Sequence, residues 1–420
     1  MPTDGNLSPN KILAILEKHE TWRASNLNLV AAENAMSPLA RSVLSSDLAQ
    51  RYGDYTGRDL RARRYLGTEY IVELELEVER LACEVFKTQF VELRPLSGHI
   101  AGNCVIMSLC QPGDLVLELS RHGGGHRVAT KFAQAPLIDI QVEFLPFDDT
   151  AFNVDVQQTI EVVRERRPRL ILVGASNFLF PIPLAELADG LREFPETVLA
   201  YDASHVLGLM AGGAFQEPLV EGAHLVVAGT QKSFPGPQGG LIYTNSEPLV
   251  QTISASVYPA MMSNHHLARL PSLGIALLEM KKWGAEYAAQ VIRNAQALAQ
   301  ALVDEQVAVV GSGESYTESH TVLINTRGLG PNTELGTRLE EAGIIVSNIR
   351  LPESLGGEGL RLGTNEATRR GAAEADMVEI ARLVADLVLA RRSVGEVRKD
   401  VRAMADSLGD YAYTWTDASP

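Results

Sequence analysis

Short apolar runs alternate with helically spaced ones through the middle of the chain. Residues 115–119, 170–174, 198–201, 225–228 and 241–244 form short, mostly apolar runs that predict strands. Residues 156–166 and 185–193, between them, carry apolar side chains at helical spacing. This alternation predicts a mostly parallel, doubly wound sheet covered on both faces. Near the start, Ser8-Pro9 reads as an N-cap and first helical position, with Ile12, Leu13, Ile15 and Leu16 following at helical spacing. A less regular arm then runs through "NLVAAENAMSP". A long helical stretch at about 273–304 leaves the middle region. Shorter strands follow at 307–310, 321–325, 344–347 and 360–363, with helices at 334–342 and 373–390. No internal repeat is visible. The pattern therefore divides the chain into an N-terminal helix and arm (1–35), a large α/β domain (36–270), and a long helix with a smaller C-terminal α/β domain (271–420).

Length and composition narrow this picture. A chain of 420 residues exceeds one ordinary core, in keeping with two domains. With 45% hydrophobic and 21% charged residues, it has the material for a large core. A formal charge of -15 argues against non-specific binding to nucleic acid or an anionic membrane, which needs a basic field. Cys83, Cys104 and Cys110 fit neither a disulfide framework nor a CxxC zinc pattern, which points to a reducing cytoplasm. The opening "MPTDGNLSPN" lacks a basic-then-apolar signal pattern, and no apolar run approaches a membrane span.

In an open parallel sheet, ligands sit beyond the carboxyl ends of the strands. Three of the predicted strands run into polar residues there: Ser176 after "LILVGA", Asp202 after "VLAY" and Lys232 after "LVVAGTQ". Lys232 is the only charged side chain between Leu225 and Tyr243. A surface turn would account for it. A lysine at the buried end of a strand would instead have a lowered pKa and a usable amine nucleophile. The turn "HGGGH" ends at His126, and "LSGHIAGN" opens a helical stretch with Ser97, Gly98 and His99, whose amides and dipole suit a phosphate. A nucleophilic lysine, a strand-end carboxylate, a phosphate cradle and an aromatic ring together point to pyridoxal phosphate. The lysine amine binds it, and the carboxylate keeps its ring nitrogen protonated. Singly, each has a plainer reading: Asp202 as a helix cap, Ser97-Gly98 as a turn, "HGGGH" as a flexible loop. A metal at His122 and His126 is disfavoured, because the glycines abolish the helix that would align them.

The order of four motifs carries more than any one of them. With "NLVAAENAMSP", "YDASHVLGLMAGGAFQ", "GTQKSFPGPQGGLI" and "GLRLGTNEATRRGA" spread over nearly its whole length, the chain resembles the serine hydroxymethyltransferases, nearest the archaeal-type members. That resemblance implies a fold-type I pyridoxal phosphate transferase with a shared site in a homodimer. It implies that Lys232 holds the cofactor, that Asp202 pairs with the pyridine nitrogen, and that His205 lies near the ring hydroxyl. His126 would stack on the ring, while Ser97, Gly98 and His99 take the phosphate. Arg361 would grip the substrate carboxylate as a bidentate fork; its plainer reading is a surface ion pair. Tyr52 in "QRYGDYTG" would reach the phosphate of the neighbouring subunit.

Departures from the family pattern gather around the substrate. Ala32 stands where the family has a serine, and Asp54 where it has a glutamate one methylene longer. The loop continuing "TGRDLRARRYLGTEY" is longer than usual, and Leu66 replaces a second tyrosine, leaving Tyr65 one place earlier. Gln231 replaces a histidine before the lysine, and Ser263 and Asn264 replace a glycine pair that approaches the neighbour's phosphate. Losing a hydroxyl at Ala32 and a ring at Leu66 would make room for a methyl on the α-carbon, which adds alanine and 2-methylserine to glycine and serine as candidates.

Three readings stay open. The first is hydroxymethyl transfer between a β-hydroxy amino acid and a tetrahydrofolate-type carrier, with Asp54 managing protons on the carrier side. The second is a folate-independent aldolase or transaldolase of the threonine type. The third is an inactive homologue serving as a binding partner, which retention of Lys232, Asp202 and Arg361 disfavours.

Overall fold

The computed structural model describes residues 9–135, 138–311, 315–409 and 411–415, so the expected cap Ser8 lies outside them. Seven strands form the large sheet: β1 (Phe90–Glu92), β2 (Leu115–Glu118), β3 (Gln141–Phe144), β4 (Leu170–Val173), β5 (Val198–Asp202), β6 (Leu225–Gly229) and β7 (Gly240–Thr244). Their spatial order is β1-β7-β6-β5-β4-β2-β3. The pairings from β6 across to β3 are parallel. Strand β7 instead runs antiparallel to both β6 and β1, so the sheet is mixed. The cause lies in residues 230–239, too few to carry a helical crossover between parallel neighbours.

Alternation along the strand explains why β4, β6 and β7 are apolar nearly throughout. Leu225 and Val227 enter one core cluster, while Val226 and Ala228 enter another on the opposite face. The helix Gly98–Leu109 contributes Ala101, Val105 and Ile106 to the first of these. The helix Arg269–Asp304 brings Leu273, Leu277 and Val291 to the other.

Farther along that same helix, Leu298 and Leu302 belong to a third cluster with β8 (Thr321–Asn325) and β10 (Glu358–Gly363). These two strands and β9 (Ser347–Arg350) form an antiparallel sheet in the order β8-β10-β9. The expected strand at 307–310 reduces to an isolated bridge, Val309 to Ile324. The one expected at 344–347 divides. Ile344–Ile345 pairs in parallel with Leu27–Asn28 of the arm, and Ser347 begins β9. Leu27 and Leu29 thereby enter the C-terminal core.

Arg369 and Glu279 form a buried ion pair across this junction at 2.5 Å, both side chains 1% exposed. Arg369 also donates to the Tyr413 carbonyl at 2.7 Å, and Thr414 Oγ1 donates to Glu279 at 2.5 Å. Removing one partner leaves the other charge buried, so Glu279→Leu should lower the unfolding free energy by about 3–5 kcal/mol. The double variant Glu279→Leu/Arg369→Met should lose much less. Urea unfolding of both variants checks this.

Candidate active site

Three strand ends meet where β4, β5 and β6 finish. Asp202 closes β5, and its Oδ1 accepts the Ser204 amide at 2.9 Å. Gly174, beyond β4, lies so close that a Cβ there would sit 2.4 Å from the Asp202 carbonyl oxygen. Lys232 follows β6 after two residues. Burial pulls its pKa down to about 8; Arg361 and Lys131 push the same way, and Asp202 opposes them. The sequence holds no acid beside Lys232, but the fold supplies one from the next strand.

The helix Gly98–Leu109 points its N-terminus into this corner. Ser97 Oγ caps it by accepting the Ile100 amide at 3.1 Å, leaving the first amides, Gly98 and His99, pointing outward. Only glycine fits at position 98, since a Cβ would meet Ser204 Oγ at 2.7 Å and the Gly229 amide nitrogen at 2.9 Å. The His99 and His126 rings pack edge-on, their centroids 5.5 Å apart. Enclosure lowers His126 to about 4 against the pull of Asp202, so its ring is neutral at neutral pH.

Arg361 reaches the site from β10. It is 8% exposed and forms no salt bridge among the described residues, which removes the surface ion-pair reading. Its Nη1 donates to the Ser176 carbonyl at 2.7 Å, while Nε has no partner. Burial lowers its pKa to about 10, leaving it charged at neutral pH. Ser176 in turn donates its amide to the Gly124 carbonyl of the "HGGGH" turn at 2.7 Å.

The arm closes the site from the far side. Asn34 Nδ2 donates to the Ser233 carbonyl at 3.1 Å and to Tyr287 Oη at 2.8 Å, fixing the arm to the residue after Lys232. Ala31, next to Ala32, packs on Gly363, two residues past Arg361. Its carbonyl accepts from His320 Nε2 at 3.1 Å, and the His320 ring stacks 6.1 Å from His205. Burial pushes His205 well below the usual histidine range and His320 down to about 3. His320 escapes sequence reasoning because one histidine ahead of an apolar strand carries no pattern.

Tyr52, Asp54, Tyr65, Ser263 and Asn264 do not join this assembly. They form a second group, with the Tyr52 and Tyr65 rings 5.2 Å apart and the Gly53 amide donating to Asn264 Oδ1 at 3.2 Å. Asp54 is 4% exposed, accepts from Tyr258 Oη at 2.7 Å through Oδ2, and has no partner for Oδ1. Tyr258 also went unmarked in the sequence. Ser263 is exposed, and Leu66 is 97% exposed. No hydrogen bond or ring contact joins the two groups among the described residues.

The first group fits pyridoxal phosphate. Gln231 Oε1, His205 Nδ1, His99 Nδ1 and Arg361 Nε are buried without partners, as polar atoms awaiting a polar ligand would be. The helix N-terminus offers amides to a phosphate, and Asp202 and the weakly basic Lys232 flank the space between. Among the described residues, no cluster of three or more His, Cys, Asp or Glu could hold a metal.

Known proteins resemble this chain over nearly its whole length. A family model described as serine hydroxymethyltransferase matches residues 7–384. The chain is 38% identical over 409 residues to a serine hydroxymethyltransferase of Methanopyrus kandleri, covering 96% of this chain and 94% of that one. It is 39% identical over 413 residues to one from Sulfolobus acidocaldarius, covering 97% and 94%. An L-threonine transaldolase structure from Pseudomonas fluorescens is similar with a TM-score of 0.91 at 30% identity, covering 96% of this chain and 93% of that one.

If Lys232 is the amine that takes up the cofactor, its neutral form is the nucleophile, and uptake by the unloaded chain should accelerate with pH and level off near pH 8. An ordinary exposed lysine would keep gaining toward pH 10. Stopped-flow absorbance across pH 6.5–10 reads the difference. Lys232→Ala should keep the circular dichroism spectrum of the parent and lose turnover.

Proposed function

The chain belongs to the serine hydroxymethyltransferase family, with the fold-type I architecture of a pyridoxal-phosphate-dependent enzyme, and from that premise we propose its reaction. It moves a one-carbon unit between a β-hydroxy α-amino acid, serine or 2-methylserine, and a tetrahydrofolate-type carrier. The amino-acid product is glycine or alanine. Asp54 carries this reading: it is a buried carboxylate with one oxygen unpartnered, in the segment that the family uses on the carrier side.

The cofactor, once bound, supplies an electron sink for the bond broken at the α-carbon. Lys232 holds it and moves a proton at that carbon, and Asp202 keeps its ring nitrogen protonated. The amides of Gly98 and His99, with Ser97, would bind its phosphate, and His126 would pack against its ring. His205 would meet the ring hydroxyl, with Ser176 and Gln231 bordering the same space. Arg361 would orient the substrate carboxylate with its free guanidinium edge, and Ala32, lacking the hydroxyl of the family pattern, would leave room for a methyl on the α-carbon. Asp54 takes or gives a proton at the hydroxymethyl group.

The working unit is a homodimer in the cytoplasm. Two observations support the dimer. The helix Pro9–Ala24 buries none of its residues and exposes Ile12, Leu13, Ile15 and Leu16. The second group, Tyr52, Asp54, Tyr65, Ser263 and Asn264, makes no hydrogen bond or ring contact with Lys232 among the described residues and would complete the partner's site. A second reading, transaldolase chemistry with a different aldehyde, is favoured by the likeness to the L-threonine transaldolase structure.

Assays of serine and 2-methylserine with and without tetrahydrofolate separate the two. Glycine or alanine formed only with the carrier supports hydroxymethyl transfer; equal turnover of threonine without it supports the second reading. Asp54→Asn should cut carrier-dependent transfer about 10²–10⁴-fold and spare exchange of the α-proton with solvent. If Ala32 makes room for an α-methyl group, Ala32→Ser should shift the kcat/KM ratio toward serine over 2-methylserine by about 10-fold or more. An unchanged ratio would assign Ala32 no part in the choice.

A further inference from the structure

Asp54 lies between two gripped peptide groups. The Gly53 carbonyl accepts from Arg63 Nη1, and the Tyr55 carbonyl accepts from Arg94 Nη1 at 3.0 Å. Arg94 Nη2 also holds the Gly57 carbonyl at 3.0 Å. Each arginine is anchored behind. Arg63 pairs with Glu75, which also binds His265, and Arg94 meets Glu92 at 2.8 and 2.6 Å. The Tyr55 ring lies between them, with the Arg94 and Arg63 guanidinium carbons 4.3 and 5.0 Å from its centroid. Buried ion pairs stabilise a fold poorly compared with apolar packing. Two of them converging on one short segment serve its placement better than its stability.

The carboxylate itself is held at one oxygen only. Tyr258 Oη donates to Oδ2 at 2.7 Å, and Oδ1 is buried without a partner. The hydrogen bond to Asp54 pushes the Tyr258 phenol upward, so it stays protonated and remains a donor at neutral pH. Aspartate reaches one methylene less far than the glutamate of the family pattern, so its backbone and its rotamer must both be set.

We propose that Tyr258 is a positioning residue for Asp54, fixing Oδ2 while Arg63 and Arg94 fix the backbone, so that Oδ1 alone meets the second substrate. This rests on the reading of Asp54 as the carrier-side acid-base group.

The test compares cofactor-loaded Tyr258→Phe, Asp54→Asn and the double variant in two assays: carrier-dependent transfer and α-proton exchange. Tyr258→Phe keeps the ring and removes one oxygen. It should lower the transfer kcat about 10–100-fold with the amino-acid KM and the exchange rate unchanged. The double variant should transfer no more slowly than Asp54→Asn, because the two residues act as one unit. Arg63→Lys, which keeps a cation against Glu75 but loses the fork, should reduce transfer less and again spare exchange. Parent-like transfer by Tyr258→Phe beside an impaired Asp54→Asn overturns this inference and leaves the hydroxymethyl reading standing. Parent-like transfer by Asp54→Asn overturns that reading and the inference together. Equal loss of transfer and exchange in Tyr258→Phe shows damage to the whole site and overturns the positioning role.

Discussion

A lone ammonium at the buried end of a strand is unstable, and the molecule resolves this by surrounding Lys232 with charges from elsewhere in the chain. Burial and Arg361 favour the neutral amine, Asp202 favours the charged one, and the balance falls at about 8. Each contributor must arrive from a different element. Asp202 requires β5 beside β6, and Arg361 requires β10 to be carried across by the helix Arg269–Asp304. The arm then fastens the assembly, with Asn34 and Tyr287 both bonded to the Ser233 carbonyl. Tyr413, near the chain's end, packs on Tyr287 at 5.5 Å, so even the C-terminal segment bears on the loop that holds the lysine.

Much of the large sheet was legible because its strands are apolar on both faces. Residues 225–228 and 241–244 read as strands for that reason, and the helix Val156–Arg166 read cleanly from its spacing. Its N-cap, Asp155, accepts the Gln158 amide at 3.0 Å. Strands whose polarity has a tertiary cause escaped notice. Glu92 in β1 is tolerated only because Arg94 folds back on it, and Gln141–Phe144 is a half-polar edge strand. The helix Glu69–Val85 drew no expectation, its seven glutamates and arginines masking the apolar spacing, although Ile71, Val78 and Leu81 are buried on one side. Strand direction was not legible either, because the length of the 230–239 turn decides it.

The site divides along the same line. Ser176, Asp202 and Lys232 were legible as residues following apolar runs, since topology alone brings such ends together. Their mutual charges were not, because they depend on which strands are neighbours. The resemblance already directed Tyr52 and Asn264 toward the neighbouring subunit, whereas the place of Asp54, Tyr258 and His320 carried no mark in the linear chain. The consequence is functional. On the proposed reaction, one group of residues would serve the α-carbon and its cofactor and the other the incoming or departing carbon unit, with no hydrogen bond or ring contact joining them among the described residues.

Complementation between two inactive chains tests this most directly. Lys232→Ala and Asp54→Asn chains, carrying different affinity tags, are co-expressed, and the mixed dimer is isolated through both tags. If each site draws Lys232 from one subunit and Asp54 from the other, every mixed dimer holds one intact site. Carrier-dependent transfer should then return to about half the parent rate per dimer. A mixed dimer as inactive as the two parents would contradict the account, because it would mean that Lys232 and Asp54 serve the same site from the same chain, or no common site at all.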